Sequence, residues 1–287
     1  MMNQNAIELK NVTKHYKDFS IEDLNLNIKK GFVTGFVGRN GAGKSTTIEM
    51  IMNLTRPNSG EVKVFGLDIK NHEKVIKDRI GYVDAANDYM ENFKLKDIIK
   101  YVSKTYSNWD EDACTHYIER FNLPLNKKLK DFSTGMRAKA TIAIALSHNT
   151  ELFVMDEPTT GLDPVVRREI IDTFREIMTN EDKTILFSTH ITEDLEKLAD
   201  YIVMIDDGKI ILNTSKNDLS ENFFIVRGSN DLLDRDTESY FTSIKKGDVN
   251  FEALTKSPKE VEAVFRDTVV IEPVKIDDII YHLKGEK

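Results

Sequence analysis

Cysteine is nearly absent from this chain: Cys114 is the only one among 287 residues. One thiol excludes a disulfide within the chain and suits a reducing compartment. Long apolar runs are missing too. Apolar stretches such as 32–37 and 152–155 are strand-sized. A membrane-crossing helix needs roughly 18 apolar residues, so this chain does not cross a bilayer by itself. The first ten residues lack the apolar stretch of a secretory signal. Positive charge is not in excess: 48 acidic residues stand against 40 basic ones, a net charge of −8. That balance argues against general binding to a nucleic acid backbone, so no nucleic acid partner is expected. Lys127, Lys128 and Lys130 are a local exception and read as a solvated loop. No internal repeat or low-complexity stretch is present.

What is there suits a globular protein. Apolar residues make up 40% and charged residues 31%, and the length allows one large domain or a large and a small one. Residues 6–12 and 21–28 alternate apolar and polar, as half-buried strands do. Segments 32–37, 80–83, 152–155 and 184–188 read as buried strands, and 44–53, 95–107, 110–121, 135–148 and 164–178 as helices. Residues 201–205 and 209–213 read as a hairpin turning at Asp207-Gly208. Strand–helix alternation predicts an α/β fold with a mostly parallel sheet, the opening strands joining it as an antiparallel addition. After about Ser215 the pattern changes. Short strands at 223–227, 248–254 and 268–272 alternate with short helices, and 274–283 carries one apolar helical stripe of Ile276, Ile279, Ile280 and Leu283. The expected division is 1–215 and 216–287, the second part a small α+β appendage.

The sharpest signal is Gly38-Arg39-Asn40-Gly41-Ala42-Gly43-Lys44-Ser45-Thr46, a match to G-x-x-x-x-G-K-[ST] between an expected strand and helix. Its glycines let backbone N–H groups turn inward around phosphate oxygens, and the helix dipole adds positive charge there. Lys44 can reach the β- and γ-phosphates, and Ser45 can place its hydroxyl on Mg²⁺. Alone, this loop marks a nucleoside triphosphatase or a kinase.

A second signal is Leu152-Phe153-Val154-Met155-Asp156-Glu157, an apolar strand ending in two carboxylates. In α/β sheets the active crevice lies at the carboxyl ends of strands. Asp156 is thus expected near Mg²⁺ and Glu157 near an attacking water. A solvated acidic turn is the alternative for the pair taken alone. The Pro158-Thr159-Thr160-Gly161-Leu162-Asp163 that follows favours the site.

Taken in order, these motifs resemble the ATP-binding subunits of ABC transporters over roughly 6–214. The loop 38–46 is similar to their Walker A motif. Phe132-Ser133-Thr134-Gly135-Met136 is similar to the signature L-S-G-G-Q, 152–157 to Walker B with its catalytic glutamate, Gly161-Leu162-Asp163 to the D-loop, and Ser188-Thr189-His190 to the switch histidine. Ser133 and Gly135 begin a helix, which makes a second anion site. The resemblance implies that this site caps the γ-phosphate held by the other protomer, so a head-to-tail pair of ATPase subunits, identical or paralogous, encloses two ATP molecules. It also implies that Asp163 belongs to the nucleotide site, that His190 contacts the γ-phosphate and holds water and Glu157, and that Tyr16 stacks on adenine. The implied fold is a P-loop NTPase with an antiparallel β subdomain and a helical subdomain.

Two departures stand out. The signature carries Thr134 where glycine is usual and Met136 where glutamine is usual, which implies weakened rather than absent function. The family's Q-loop glutamine should follow Ile80-Gly81-Tyr82-Val83, but the sequence reads Asp84-Ala85-Ala86. Ala85 fills the glutamine slot, and Asp84 is the candidate substitute at the metal.

The resemblance implies ATP hydrolysis with Mg²⁺, at the cytoplasmic face of the membrane and beside an integral membrane permease that contacts 84–96 and 95–121. A lone ATPase with a C-terminal appendage resembles ABC-2-type exporters, and 276–285 resembles the tails of Gram-positive members, some of which export amphipathic peptides such as phenol-soluble modulins or bacteriocins. An importer ATPase shares every motif. A ribosome- or DNA-acting member would show a second Walker A motif or a heptad run, and an ordinary P-loop kinase would not need 133–136 or His190.

Overall fold

The computed structural model describes residues 4–84 and 91–283. Alternation in the opening strands produces β1 (Asn5–His15) and β2 (Ser20–Lys29), an antiparallel pair whose Ile7, Leu9, Leu24, Leu26 and Ile28 are buried. These strands do not extend the parallel sheet. β1 pairs on its other side with β4 (Ser59–Val64), which pairs with β5 (Leu67–Asp68), and a separate four-stranded sheet of order β2-β1-β4-β5 results. With β1 bonded on both sides, the expected addition becomes its own layer, as period-2 burial identifies a strand without naming its neighbour.

The second sheet contains β3 (Val33–Val37), β6 (Ile80–Asp84), β7 (Leu152–Asp156), β8 (Thr184–Thr189), β9 (Tyr201–Asp206) and β10 (Lys209–Ser215), in the order β10-β9-β3-β8-β7-β6. All neighbours run parallel except β9 and β10. That hairpin turns at Asp207 (φ 46°) and Gly208 (φ 75°), as a two-residue turn with both φ positive requires. β3 is buried throughout, Thr34 included, as a strand covered on both faces requires.

Helices α1 (Lys44–Ile51), α2 (Glu73–Lys77), α3 (Leu95–Val102), α4 (Glu111–Arg120), α5 (Thr134–Leu146), α6 (Pro164–Ile177) and α7 (Thr192–Leu198) surround the two sheets. α3 is shorter than the expected 95–107. The hydroxyls of Ser103 and Thr105 bond back to the Lys100 and Val102 carbonyls, a local alternative to helix propagation. Asp110 then accepts the Ala113 N–H and caps α4.

Ser215 ends β10 and caps α8 (Lys216–Asn222) by accepting the Asp218 N–H. The rest of the chain forms β11 (Phe224–Ser229), β12 (Ser243–Lys246), β13 (Asn250–Thr255), α9 (Pro258–Phe265), β14 (Val270–Pro273) and α10 (Ile276–Leu283), with an antiparallel sheet of order β12-β13-β11-β14. The apolar stripe of α10 is buried in one cluster with Leu195 and Leu198 of α7, while Val226, Phe251, Val261 and Phe265 form a small core of their own.

Candidate active site

The carboxyl ends of β3, β6, β7 and β8 converge because the sheet is parallel there. Register brings Asp84 opposite Asp156 and Val37 opposite Thr189. The phosphate loop leaves β3 at Gly38, where a Cβ would stand 2.4 Å from the Ile205 carbonyl oxygen, and reaches α1 through Gly43 at φ 112°. Only glycine suits either position. Arg39, Asn40, Gly41 and Ser45 are exposed, Thr46 is half-buried, and Ala42 is buried. The loop is braced from one side by Gly208, whose N–H donates to the Ala42 carbonyl, and by Phe19, which abuts Gly43.

Lys44 is buried, 6% exposed, and its Nζ donates to the Gly38 and Arg39 carbonyls at 2.9 and 3.3 Å. It also stands 3.5 Å from Oε1 of Glu157. The ammonium therefore points into the concave side of the loop, where a triphosphate would meet it.

Glu157 follows β7 with φ 51°, a left-handed conformation that costs a non-glycine residue about 1–3 kcal/mol. Three neighbours hold it there. Its N–H donates to Ser188 Oγ (2.9 Å), and its Oε2 accepts from Thr160 Oγ1 (2.7 Å) and from His190 Nδ1 (2.8 Å). Burial works to raise the carboxyl pKa, but Thr160, Lys44 and His190 outweigh it and leave the group below its ordinary range. Glu157 is thus a carboxylate at neutral pH. Ser188 also donates to Oδ1 of Asp156 (2.5 Å), so one buried hydroxyl fixes both acidic residues.

Asp84 ends β6 beside Asp156. Tyr82, on the same strand, has its phenol pKa held well above the ordinary value by burial first and by the charges of Asp84, Asp156 and Glu49 next. The glutamine slot, Ala85, lies outside the described residues. Asp156 and Ser45 suit Mg²⁺. The cation takes few protein ligands and keeps its water and phosphate oxygens, and Ser188 engages only one carboxylate oxygen of Asp156. Among the described residues no group of three or more His, Cys, Asp or Glu forms an all-protein cage.

The remaining expected residues are placed differently. Tyr16, 47% exposed, lies at the β1–β2 turn with Lys14 over its ring, and its N–H donates to the carbonyl of Phe19, the residue that abuts Gly43. Ser133 caps α5 by accepting the Met136 N–H, and a Cβ on Gly135 would meet Val166 of α6 at 3.1 Å. Thr134 is exposed, and Met136 packs partly into the core in place of a polar side chain. Asp163 caps α6, accepting from Val165 and Val166. Among the described residues no hydrogen bond or ion pair joins Ser133, Gly135 or Asp163 to the phosphate loop of the same chain.

Three contributors escaped sequence reasoning. Ser188 and Thr160 were read as parts of motifs, not as the hydroxyls that set Glu157. Asp194 of α7 is 1% exposed and bonds Thr159 Oγ1 and Arg167 Nε, tying the segment after Glu157 to α6 and α7. A hydroxyl in an otherwise apolar strand end was the available signal for Ser188.

The family model described as ABC transporter matches residues 21–160. The bacitracin transport ATP-binding protein BcrA of Bacillus licheniformis is 34% identical over 208 residues, covering 71% of this chain and 68% of that protein. NatA, an ABC transporter ATP-binding protein of Bacillus subtilis, is 35% identical, covering 71% of this chain and 85% of its own. The Nod factor export ATP-binding protein I of Rhizobium etli is 27% identical and aligns over 98% of this chain and 94% of its own, the C-terminal part included. A solved ATP-binding subunit of an ABC transporter superposes with a TM-score of 0.68 at 25% identity, covering 75% of this chain and 91% of that one. A dimeric bacterial ABC transporter cassette has the same fold, with a TM-score of 0.66 at 24% identity over 73% of this chain and 98% of that one.

Proposed function

This chain belongs to the ABC transporter ATP-binding family, and from that membership we propose that it hydrolyses ATP as half of a head-to-tail pair and powers export through a separate membrane permease. The observation that carries the reading is the convergence of Lys44, Asp156, Glu157 and His190 at one strand-end crevice. In this reading the loop N–H groups and Lys44 bind the β- and γ-phosphates. Tyr16 stacks on adenine. Glu157, kept ionised, orients a water and takes its proton, and His190 holds Glu157 and meets the γ-phosphate. Ser45 and Asp156 hold Mg²⁺, with Asp84 beside them in place of the usual glutamine. When bound, the ion neutralises charge on the phosphates.

Ser133 and Gly135 bond no part of their own phosphate loop, which supports their service to the nucleotide of a second copy, with Asp163 at the same junction. Nucleotide drives closure because it binds the paired state better than the separated one. The relatives named for bacitracin transport and Nod factor export favour export over import. The cargo is proposed to be an amphipathic peptide or another hydrophobic molecule. Among the described residues no helix is long and apolar enough to cross a membrane, so the permease supplies the path and this chain sits at the cytoplasmic face. Residues 1–215 form the ATPase and 216–287 an accessory unit docked through α7 and α10. Phosphate release from ATP by the purified chain, abolished by Glu157→Gln, tests the reading; turnover unaffected by that change would reject it.

A further inference from the structure

Oε2 of Glu157 is held from two directions. Thr160 Oγ1 donates to it at 2.7 Å and His190 Nδ1 at 2.8 Å. The two donors sit on separate pieces of chain. Thr160 lies between β7 and α6, and its N–H also closes a turn onto the Glu157 carbonyl. His190 lies between β8 and α7. A carboxylate oxygen shared by two arms is aimed only while the arms keep their spacing, and small misplacements at a reacting centre cost rate.

Asp194 joins the arms. It stands in the first turn of α7, and its N–H donates to the carbonyl of Ile191, the residue after His190. Its Oδ2 accepts from Oγ1 of Thr159, the neighbour of Thr160, at 2.6 Å. A closed ring results, running from Glu157 through Thr160, Thr159, Asp194 and His190 back to Glu157. Both side chains of the clasp are shut away from water, Asp194 1% and Thr159 2% exposed.

Stability alone does not account for this arrangement. An aspartate beside a guanidinium is best served by a bidentate pair. Here Arg167 Nε bonds Oδ1 of Asp194 at 2.7 Å, but its Nη2 is buried without a hydrogen bond to any described residue and stands 3.4 Å from Glu193 Oε2. The second oxygen of Asp194 faces Thr159 instead. Burying a charge costs free energy, and leaving Nη2 unbonded adds to that cost. What the arrangement secures is the spacing between the two arms.

We propose that Asp194 is a positioning residue for hydrolysis: through Thr159 it keeps Thr160 and His190 at the spacing that aims Glu157 at the attacking water. The proposal rests on the reading of Glu157 as the group that orients this water and takes its proton.

Thr159→Val is nearly isosteric, removes the hydroxyl and leaves the Asp194–Arg167 pair in place. The test measures ATP turnover and calorimetric ATP affinity of the full chain carrying this change, alone and with Glu157→Gln. Thr159→Val should lower kcat about tenfold and move KM and affinity for ATP by less than about twofold, while Thr159→Ser, which keeps the hydroxyl, should stay near the parent. Thr159→Val added to Asp194→Asn should be no slower than Asp194→Asn alone, since both changes open one clasp. In Glu157→Gln, whose slow residual hydrolysis is followed over hours, Thr159→Val should cause no further loss, because no carboxylate is left to aim. Four results would overturn the proposal and leave the ATPase reading standing: a parental kcat for Thr159→Val, a fall of kcat and affinity together, losses at Thr159 and Asp194 that multiply, or the same loss with Glu157→Gln as without it. Turnover undiminished by Glu157→Gln itself overturns both.

Discussion

Lys44 and Glu157 are paired across the site: Nζ and Oε1 stand 3.5 Å apart, the lysine almost fully buried and the glutamate largely so. One residue belongs to the phosphate loop and the other to the end of β7, so the pair joins the two motifs directly. A triphosphate entering the loop offers the ammonium better-charged partners than two carbonyls and one carboxylate. Glu157 is then left to Thr160 and His190, aimed by the hydroxyl of Ser188.

Lys44→Ala should weaken ATP binding at least about a hundredfold, since two or more charge-assisted contacts are lost. Isothermal calorimetry reads this directly. Unchanged affinity would reject the loop as the phosphate site.

Ser188→Ala removes the hydroxyl that accepts the Glu157 N–H and donates to Asp156. A misplaced Glu157 should lower kcat about tenfold to a hundredfold while KM for ATP changes little. Ser188→Thr, which keeps the hydroxyl, should recover part of the loss. Equal falls in kcat and in nucleotide affinity would mark a general disruption instead of positioning.

Asp84 lies in register with Asp156. Asp84→Ala should raise the Mg²⁺ concentration for half-maximal turnover by about tenfold and leave Mg²⁺-free ATP binding unaltered. An unshifted Mg²⁺ titration would exclude Asp84 from the metal side of the site.

His148 is buried, with Nε2 3.1 Å from the Ile80 carbonyl and the Tyr106 ring 3.8 Å away. Burial lowers its pKa to about 4. The folded state thus refuses a proton that the unfolded chain accepts below its ordinary value near 6.5. This group leaves stability intact above that value and erodes it as pH falls from about 6.5 to about 4, by up to about 3 kcal/mol. Urea unfolding at both ends of that window should show the loss, and His148→Gln should show less of it.

Motifs built from consecutive residues were legible in the sequence. The phosphate loop, the Asp207-Gly208 turn and the α6 start at Asp163-Pro164 each carry their cause within a few positions. Short elements were not. β5 has two residues, α2 five and α7 seven, too few for a period to register. The separate β2-β1-β4-β5 sheet was implied only by the family resemblance, as an antiparallel β subdomain; its strand order could not be read from period, because strand pairing is a long-range fact. The same holds for Ser188, whose two partners lie more than thirty positions upstream in sequence.

Reciprocal completion of each ATP site by a second copy is the claim on which the mechanism turns. Glu157→Gln keeps the size of the side chain and removes its charge, so nucleotide should bind without being consumed. Light scattering behind a sizing column should then report twice the 32.9 kDa chain mass with ATP and a single chain without it. A single-chain mass at saturating ATP would contradict the account.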